Sequence, residues 1–145
     1  VVVRIFHLLN SLIGGIYSFI SYCKRKTEKL VTLILKCLTI QILHYEFLGP
    51  IKLSEWGPPM EEVVYVLFSR IKDAFNILYV SESDKTNEAN FFTKNEKFKC
   101  WVSHGGSYET LYLAIYPMWG SQKEEREQIV KKTVTRYMPI CNMES

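Results

Sequence analysis

Much of the architecture turns on the run Met60-Glu61-Glu62-Val63-Val64-Tyr65-Val66-Leu67-Phe68-Ser69-Arg70-Ile71-Lys72-Asp73-Ala74-Phe75-Asn76-Ile77-Leu78-Tyr79-Val80. Its residues Met60, Val64, Leu67, Ile71, Phe75 and Leu78 recur at spacings of three and four, with Glu61, Ser69, Lys72, Asp73 and Asn76 off that stripe. This periodicity predicts one helix over Met60–Val80, laid on a sheet by its apolar stripe. Pro59 suits a first helical turn, where its missing N–H is not needed, and Glu61 and Glu62 complement the positive end of the helix dipole.

Downstream, Ser81–Asn90 reads as a polar loop and Phe91-Phe92 as a candidate strand start. Lys97–Ser103 and Thr110–Tyr116 read as two strands joined by the turn His104-Gly105-Gly106-Ser107. Alternation puts Phe98, Cys100 and Val102 on one face with Leu111, Leu113 and Ile115, and leaves Trp101, Tyr112 and Tyr116 on the other. With both faces apolar, either the hairpin is covered on two sides or the aromatic face is a binding surface. Ser121 and Glu124 have the spacing of a capping box before a helix over Gln122–Met138 that buries Ile129, Val130, Val134 and Tyr137. Pro139 stops it, and Ile140–Ser145 is a candidate edge strand.

Upstream, Gly49-Pro50 and Gly57-Pro58-Pro59 break the chain, with Ile51–Trp56 a short alternating strand between them. In Val1–Tyr22 the residues Arg4, His7, Ser11, Gly14, Ser18 and Ser21 form one small or polar stripe, so the expected helix is apolar around most of its circumference. Leu30–Leu48 reads as a second helix, amphipathic because Lys36 sits near its middle. The expected class is therefore α+β: a small antiparallel sheet with helices on one face, in plait-like βαββα order over 49–145, preceded by a helical hairpin over 1–48. That order resembles a ferredoxin-like plait at the level of element sequence alone.

The chain has 145 residues, 48% of them hydrophobic, enough for one compact domain and too apolar for disorder. Its net charge of +3 is uneven. Residues 1–48 hold six basic residues against two acidic ones, concentrated in the knot Lys24-Arg25-Lys26 with Lys29, while the remainder holds 12 against 13. The knot is a candidate contact for phosphate or lipid headgroups. Cys23, Cys37, Cys100 and Cys141 never form a close pair, and His7, His44 and His104 are scattered, so spacing indicates no metal site and no cofactor. Cys37 and Cys100 read as small buried hydrophobes in a reducing compartment.

No phosphate-loop, dinucleotide, zincin or nucleophile-elbow motif occurs, so no catalytic residue is assigned. Ser103, His104 and Ser107 form a weak polar cluster, read as a solvated turn. Lys97-Phe98-Lys99-Cys100-Trp101-Val102 resembles the basic-aromatic strand on which plait domains stack bases, but it lacks that strand's glycine and second aromatic. The expectation is a non-enzymatic adaptor or complex subunit, intracellular, in the cytoplasm or on the cytoplasmic face of a membrane. It docks a protein partner or a second copy of itself through its apolar N-terminal helices and through Trp101, Tyr112 and Tyr116. The alternatives are a plait-type RNA or single-strand binder and a membrane-anchored small domain.

Overall fold

The computed structural model describes residues 2–5, 38–56, 60–86 and 90–145. Among these residues six strands form one antiparallel sheet: β1 (Val2–Ile5), β2 (Leu38–Ile42), β3 (Tyr45–Lys52), β4 (Glu61–Ile71), β5 (Ala74–Lys85) and β6 (Leu111–Pro117), in spatial order β1-β2-β3-β6-β4-β5. Among the described residues three helices complete it: α1 (Phe98–Gly105), α2 (Lys123–Tyr137) and the single turn α3 (Ile140–Met143).

The α+β class and the antiparallel sheet hold, but the element order differs. Met60–Val80 is two strands rather than a helix, with Ile71 paired to Ala74 across the two-residue turn Lys72-Asp73. Lys72 takes a positive φ of 55°, which primed hairpin turns require at their first central position. The helical stripe of the sequence also runs through a continuous apolar stretch, Val63-Val64-Tyr65-Val66-Leu67-Phe68, rich in β-branched and aromatic residues. Every residue from Val63 to Ser69 is buried, as in a strand covered on both faces. The expected loop is likewise strand as far as Lys85. At the far end of the hairpin Thr86 closes it, its Oγ1 accepting from Met60 N–H at 2.9 Å and donating to Met60 C=O at 3.0 Å.

Helices cover both faces of the sheet, where one covered face was expected. Leu48, Tyr65, Leu67, Leu111, Leu113 and Ile115 lie beneath α1 and α3, with Trp101 and Cys141 among them. Ile40, Phe47, Val64, Val66, Phe68 and Ala114 lie on the other side, against Ile129, Val130 and Val134 of α2. The phase expected for β6 is therefore right: Leu111, Leu113 and Ile115 face one layer, Tyr112 and Tyr116 the other.

The helical hairpin expected over 1–48 is replaced at both ends. Val2–Ile5 pairs with Leu38–Ile42, and Thr39–Ile42 pairs with Tyr45–Leu48 around Leu43-His44, since Thr39, Ile40, Ile42, Tyr45 and Phe47 favour a pleated surface. The rest of that hairpin, with Lys24, Arg25 and Lys26, lies outside the described residues. Gly49-Pro50 does not break the chain. It forms a bulge inside β3, where the register to β6 shifts between Leu48 and Ile51 and the Gly49–Pro50 peptide is cis. The boundary expected between residues 48 and 49 thus falls within one strand. Ile51 and Lys52 end β3, and Leu53–Glu55 forms a 3-10 turn.

Helix α2 forms close to its expected bounds and ends at Met138, which adopts the left-handed conformation before Pro139. Its cap lies one residue later than the sequence indicated: Gln122 N–H donates to Glu125 Oε2 at 2.7 Å. Ser121 instead offers its carbonyl and hydroxyl oxygens to Arg126 Nη1, each at 3.0 Å. Arg126 is 1% exposed, and its Nε donates to Glu82 Oε2 at 2.9 Å while Nη2 reaches Asp84. The guanidinium therefore ties α2 to β5 with every polar partner in place, the condition for burying a cation.

Candidate functional site

Chemically distinctive groups converge where α1 meets α3. Lys97–Ser103 is helical where a strand was expected: Phe98, Trp101 and Val102 fit helical spacing as well as alternation, and in the structure all three pack toward the sheet. Asn95 starts the helix, its Oδ1 accepting from Lys97 N–H at 2.9 Å and its carbonyl from Phe98 N–H at 3.0 Å. Gly105 permits close approach to β6, because a Cβ there would sit 2.4 Å from Leu111 Cδ2. The face of α1 away from the sheet then presents Lys99, Ser103 and His104, with Cys100 half-buried at its margin.

Cys100 is joined by a disulfide to Cys141 of α3, their Cα atoms 5.8 Å apart. This corrects the reading of Cys100 as an unpaired hydrophobe, and the reducing compartment loses that support. The two sulfurs are unequal: Cys141 is fully buried, whereas Cys100 lines an open cleft of about 560 Å³ with Glu96, Lys97, Lys99, Ser103 and Glu144. Glu144 spans the cleft mouth. Its Oε1 lies 3.1 Å from His104 Nε2, its Oε2 lies 3.1 Å from Cys100 Sγ, and its carbonyl accepts from Lys97 Nζ at 2.5 Å. Sulfur, imidazole and carboxylate atoms of Cys100, His104 and Glu144 lie within 4.8 Å of one another. A sulfur bonded to sulfur has no thiolate lone pair to give a metal, so in the disulfide state this trio is not a ligand set.

The expected aromatic surface does not exist as one face. Trp101 is fully buried under α1, 5.2 Å from the Tyr79 ring, and its indole N–H has no hydrogen-bond partner among the described residues. Tyr112 and Tyr116 are half-buried on the α2 side, Tyr112 edge-on to Phe75 and Tyr116 against Tyr45 and Phe47. Phase reasoning failed because it placed Trp101 on a strand. Ser103, His104 and Ser107 do not form one cluster either. Ser103 Oγ donates to the Cys100 carbonyl at 2.9 Å, His104 faces Glu144, and Ser107 N–H donates to Thr110 Oγ1 at 2.9 Å.

Two groups escaped the sequence reading. Arg126 looked like part of a solvated face, yet it shares the three- and four-residue spacing of the buried Ile129 and Thr133, which was the available signal. The Cys100–Cys141 pairing had none, because separated cysteines do not reveal their connectivity. On the α1 side of the sheet, burial raises the Tyr65 hydroxyl well above the ordinary phenol range, and Tyr79 and Glu82 reinforce the shift. Burial, then Tyr45, also raises Tyr116. Among the described residues no helix is long and apolar enough to cross a membrane. In comparison with known proteins the chain matches no family model, no curated protein and no solved structure.

Proposed function

We propose that the chain is a non-enzymatic interaction module, a complex subunit or adaptor, that docks a protein partner at the corner where α2 meets α3. The observation that carries this reading is the exposed apolar cluster there: Met138 at 67%, Met143 at 50%, and Tyr137 and Ile140 at 41% each. The left-handed Met138 and Pro139 turn the chain so that Ile140 and Met143, one helical turn apart, share an outward side while Cys141 is buried. Grouped apolar side chains at one corner favour association, and methionines adapt to the shape of a partner. The second proposed contact is the apolar N-terminal segment expected over 1–48, of which 6–37 lies outside the described residues. The proposed location is intracellular, where a disulfide belongs to the catalytic or redox-sensing kind.

The test is a photo-crosslinking residue placed at Met138 in cells, with the same residue at Ile71, an exposed apolar position at the β4–β5 turn, as control. The reading predicts a discrete protein adduct from position 138, lost when Ile140 and Met143 are both changed to Lys, and none from position 71. Equal adducts at both positions, or an adduct that survives the double change, would contradict it.

A further inference from the structure

We propose that Cys100–Cys141 is a thiol-exchange site, opened by attack of a small thiol on Cys100, and that its opening releases α3 from the outer edge of β5. This is independent of any partner at the α2–α3 corner.

Exposure sets the direction of attack. The incoming sulfur must approach along the S–S axis from open space, and Cys100 Sγ faces the cleft while Cys141 Sγ is buried. A thiolate attacks Cys100 Sγ, the new bond forms there, the Cys100–Cys141 bond breaks, and the electron pair leaves on Cys141, which takes a proton. A second thiol attacks the sulfur of the first and leaves Cys100 reduced. In sum, two external thiols become one disulfide and the protein disulfide becomes two thiols. The surroundings suit a negative sulfur at Cys100, which is the leaving group of the second exchange. It lies in the first turn of the eight-residue α1, at the positive end of that helix, with His104 one turn further on and Lys97 and Lys99 beside it. Glu96 and Glu144 oppose this field; His104 Nε2 meets one oxygen of the Glu144 carboxylate, while Lys97 bonds only its backbone carbonyl. Once Cys100 is a thiol, Glu144 Oε2 at 3.1 Å is its ready acceptor.

Release follows from how little else holds α3. A four-residue helix has no stability of its own. Besides the disulfide it is held by the buried Cys141 side chain, by the contacts of Glu144, and by Asn142, whose Oδ1 accepts from Val80 N–H at 2.8 Å and whose Nδ2 donates to Val80 C=O at 2.9 Å. Those two bonds occupy the backbone groups that a further strand would use. The covalent tie is thus the main constraint keeping that stretch of β5 capped.

The test exposes the full folded chain to reduced glutathione without denaturant, traps the released thiol with N-ethylmaleimide and maps both by mass spectrometry. The expected result is glutathione on Cys100 and maleimide on Cys141, favoured at least tenfold over the reverse. In parallel, dithiothreitol is expected to speed hydrogen exchange of the Val80 amide at least tenfold, with Val64 and Leu113 unchanged. Cys141→Ser is expected to take up glutathione from its oxidised form at Cys100 under native conditions. Adducts mainly on Cys141, reduction only after unfolding, a Val80 amide that stays protected after reduction, or an inert Cys100 in Cys141→Ser would each overturn the proposal.

Discussion

Asn142 and Val80 are joined as two strands would be: one side-chain amide satisfies both the N–H and the C=O of Val80, at 2.8 and 2.9 Å. β5 is the outermost strand on its side of the sheet, and an outer strand with free backbone groups invites another chain to pair with it. The register between β4 and β5 also shifts at Leu67/Phe68, beside this cap, which further interrupts a straight edge. Sequence places Asn142 directly after Cys141, so the disulfide and the edge cap are one device.

Asn142→Ala should therefore leave both Val80 groups without their partner and cost about 1–3 kcal/mol in chemical denaturation. It should also make the sedimentation coefficient rise with concentration, because the uncapped edge can pair between copies. A variant as stable as the parent and monomeric at all concentrations would show that the cap does nothing.

Arg126→Ala should lower stability by about 3 kcal/mol, the low end of what removing one partner of a buried pair costs, since Asp84 is 70% exposed and keeps its water. Most of the loss should come from Glu82, which is largely covered, and from the Ser121 oxygens that start α2. Arg126→Lys keeps the charge but cannot meet all these acceptors from one nitrogen, so it should recover only part of the loss in a denaturation series.

How much of this was legible in the sequence depends on what each residue faces. Helix α2 and strand β6 were, because each has a single dominant period: the charged face of 123–136 against Ile129, Val130 and Val134, and Leu111, Leu113, Ile115 against Tyr112 and Tyr116. The β4–β5 hairpin was not. A strand buried on both faces loses its two-residue alternation, and the uninterrupted Val63–Phe68 run then contains a helical stripe by chance. Lys72-Asp73, the turn itself, looked like the polar side of that helix. Within the site, Ser103 and His104 were singled out as polar, and Cys100 lies one turn before them once 98–105 is helical, but Glu144 lies 40 residues from His104 in sequence. Only tertiary structure brings them together.

Gly49→Ala should destabilise the chain by about 1–3 kcal/mol, the usual cost of a strained backbone position. Gly49 has φ of 117°, and a Cβ would sit 2.7 Å from the Leu113 carbonyl oxygen, so neither the conformation nor the space admits a side chain. Thermal unfolding of Gly49→Ala against an exposed control such as Gly120→Ala, where a Cβ meets nothing within 4 Å, separates close approach from backbone conformation alone.

Alkali should unfold this protein through its buried phenols. The folded state holds the Tyr65 and Tyr116 protons more tightly than the unfolded chain does, so their contribution is complete below the ordinary phenol range near pH 10. As pH rises above that range the unfolded state loses the proton first, and stability falls by up to about 1.4 kcal/mol per pH unit for each such group. Denaturation midpoints measured from pH 8 upward should be flat and then drop, and Tyr65→Phe should flatten the drop. An unchanged slope in Tyr65→Phe would assign the alkaline loss to other groups.

The claim that the α2–α3 corner is the docking surface is tested most directly by the size of the native assembly that the chain forms in cells, compared between the parent and Met138→Lys/Met143→Lys. Both methionines are exposed, so the double variant should keep the parent's melting temperature. The parent is expected to migrate in a complex larger than its own mass and the variant as the free chain. A variant that folds normally and still migrates in the same complex would contradict it.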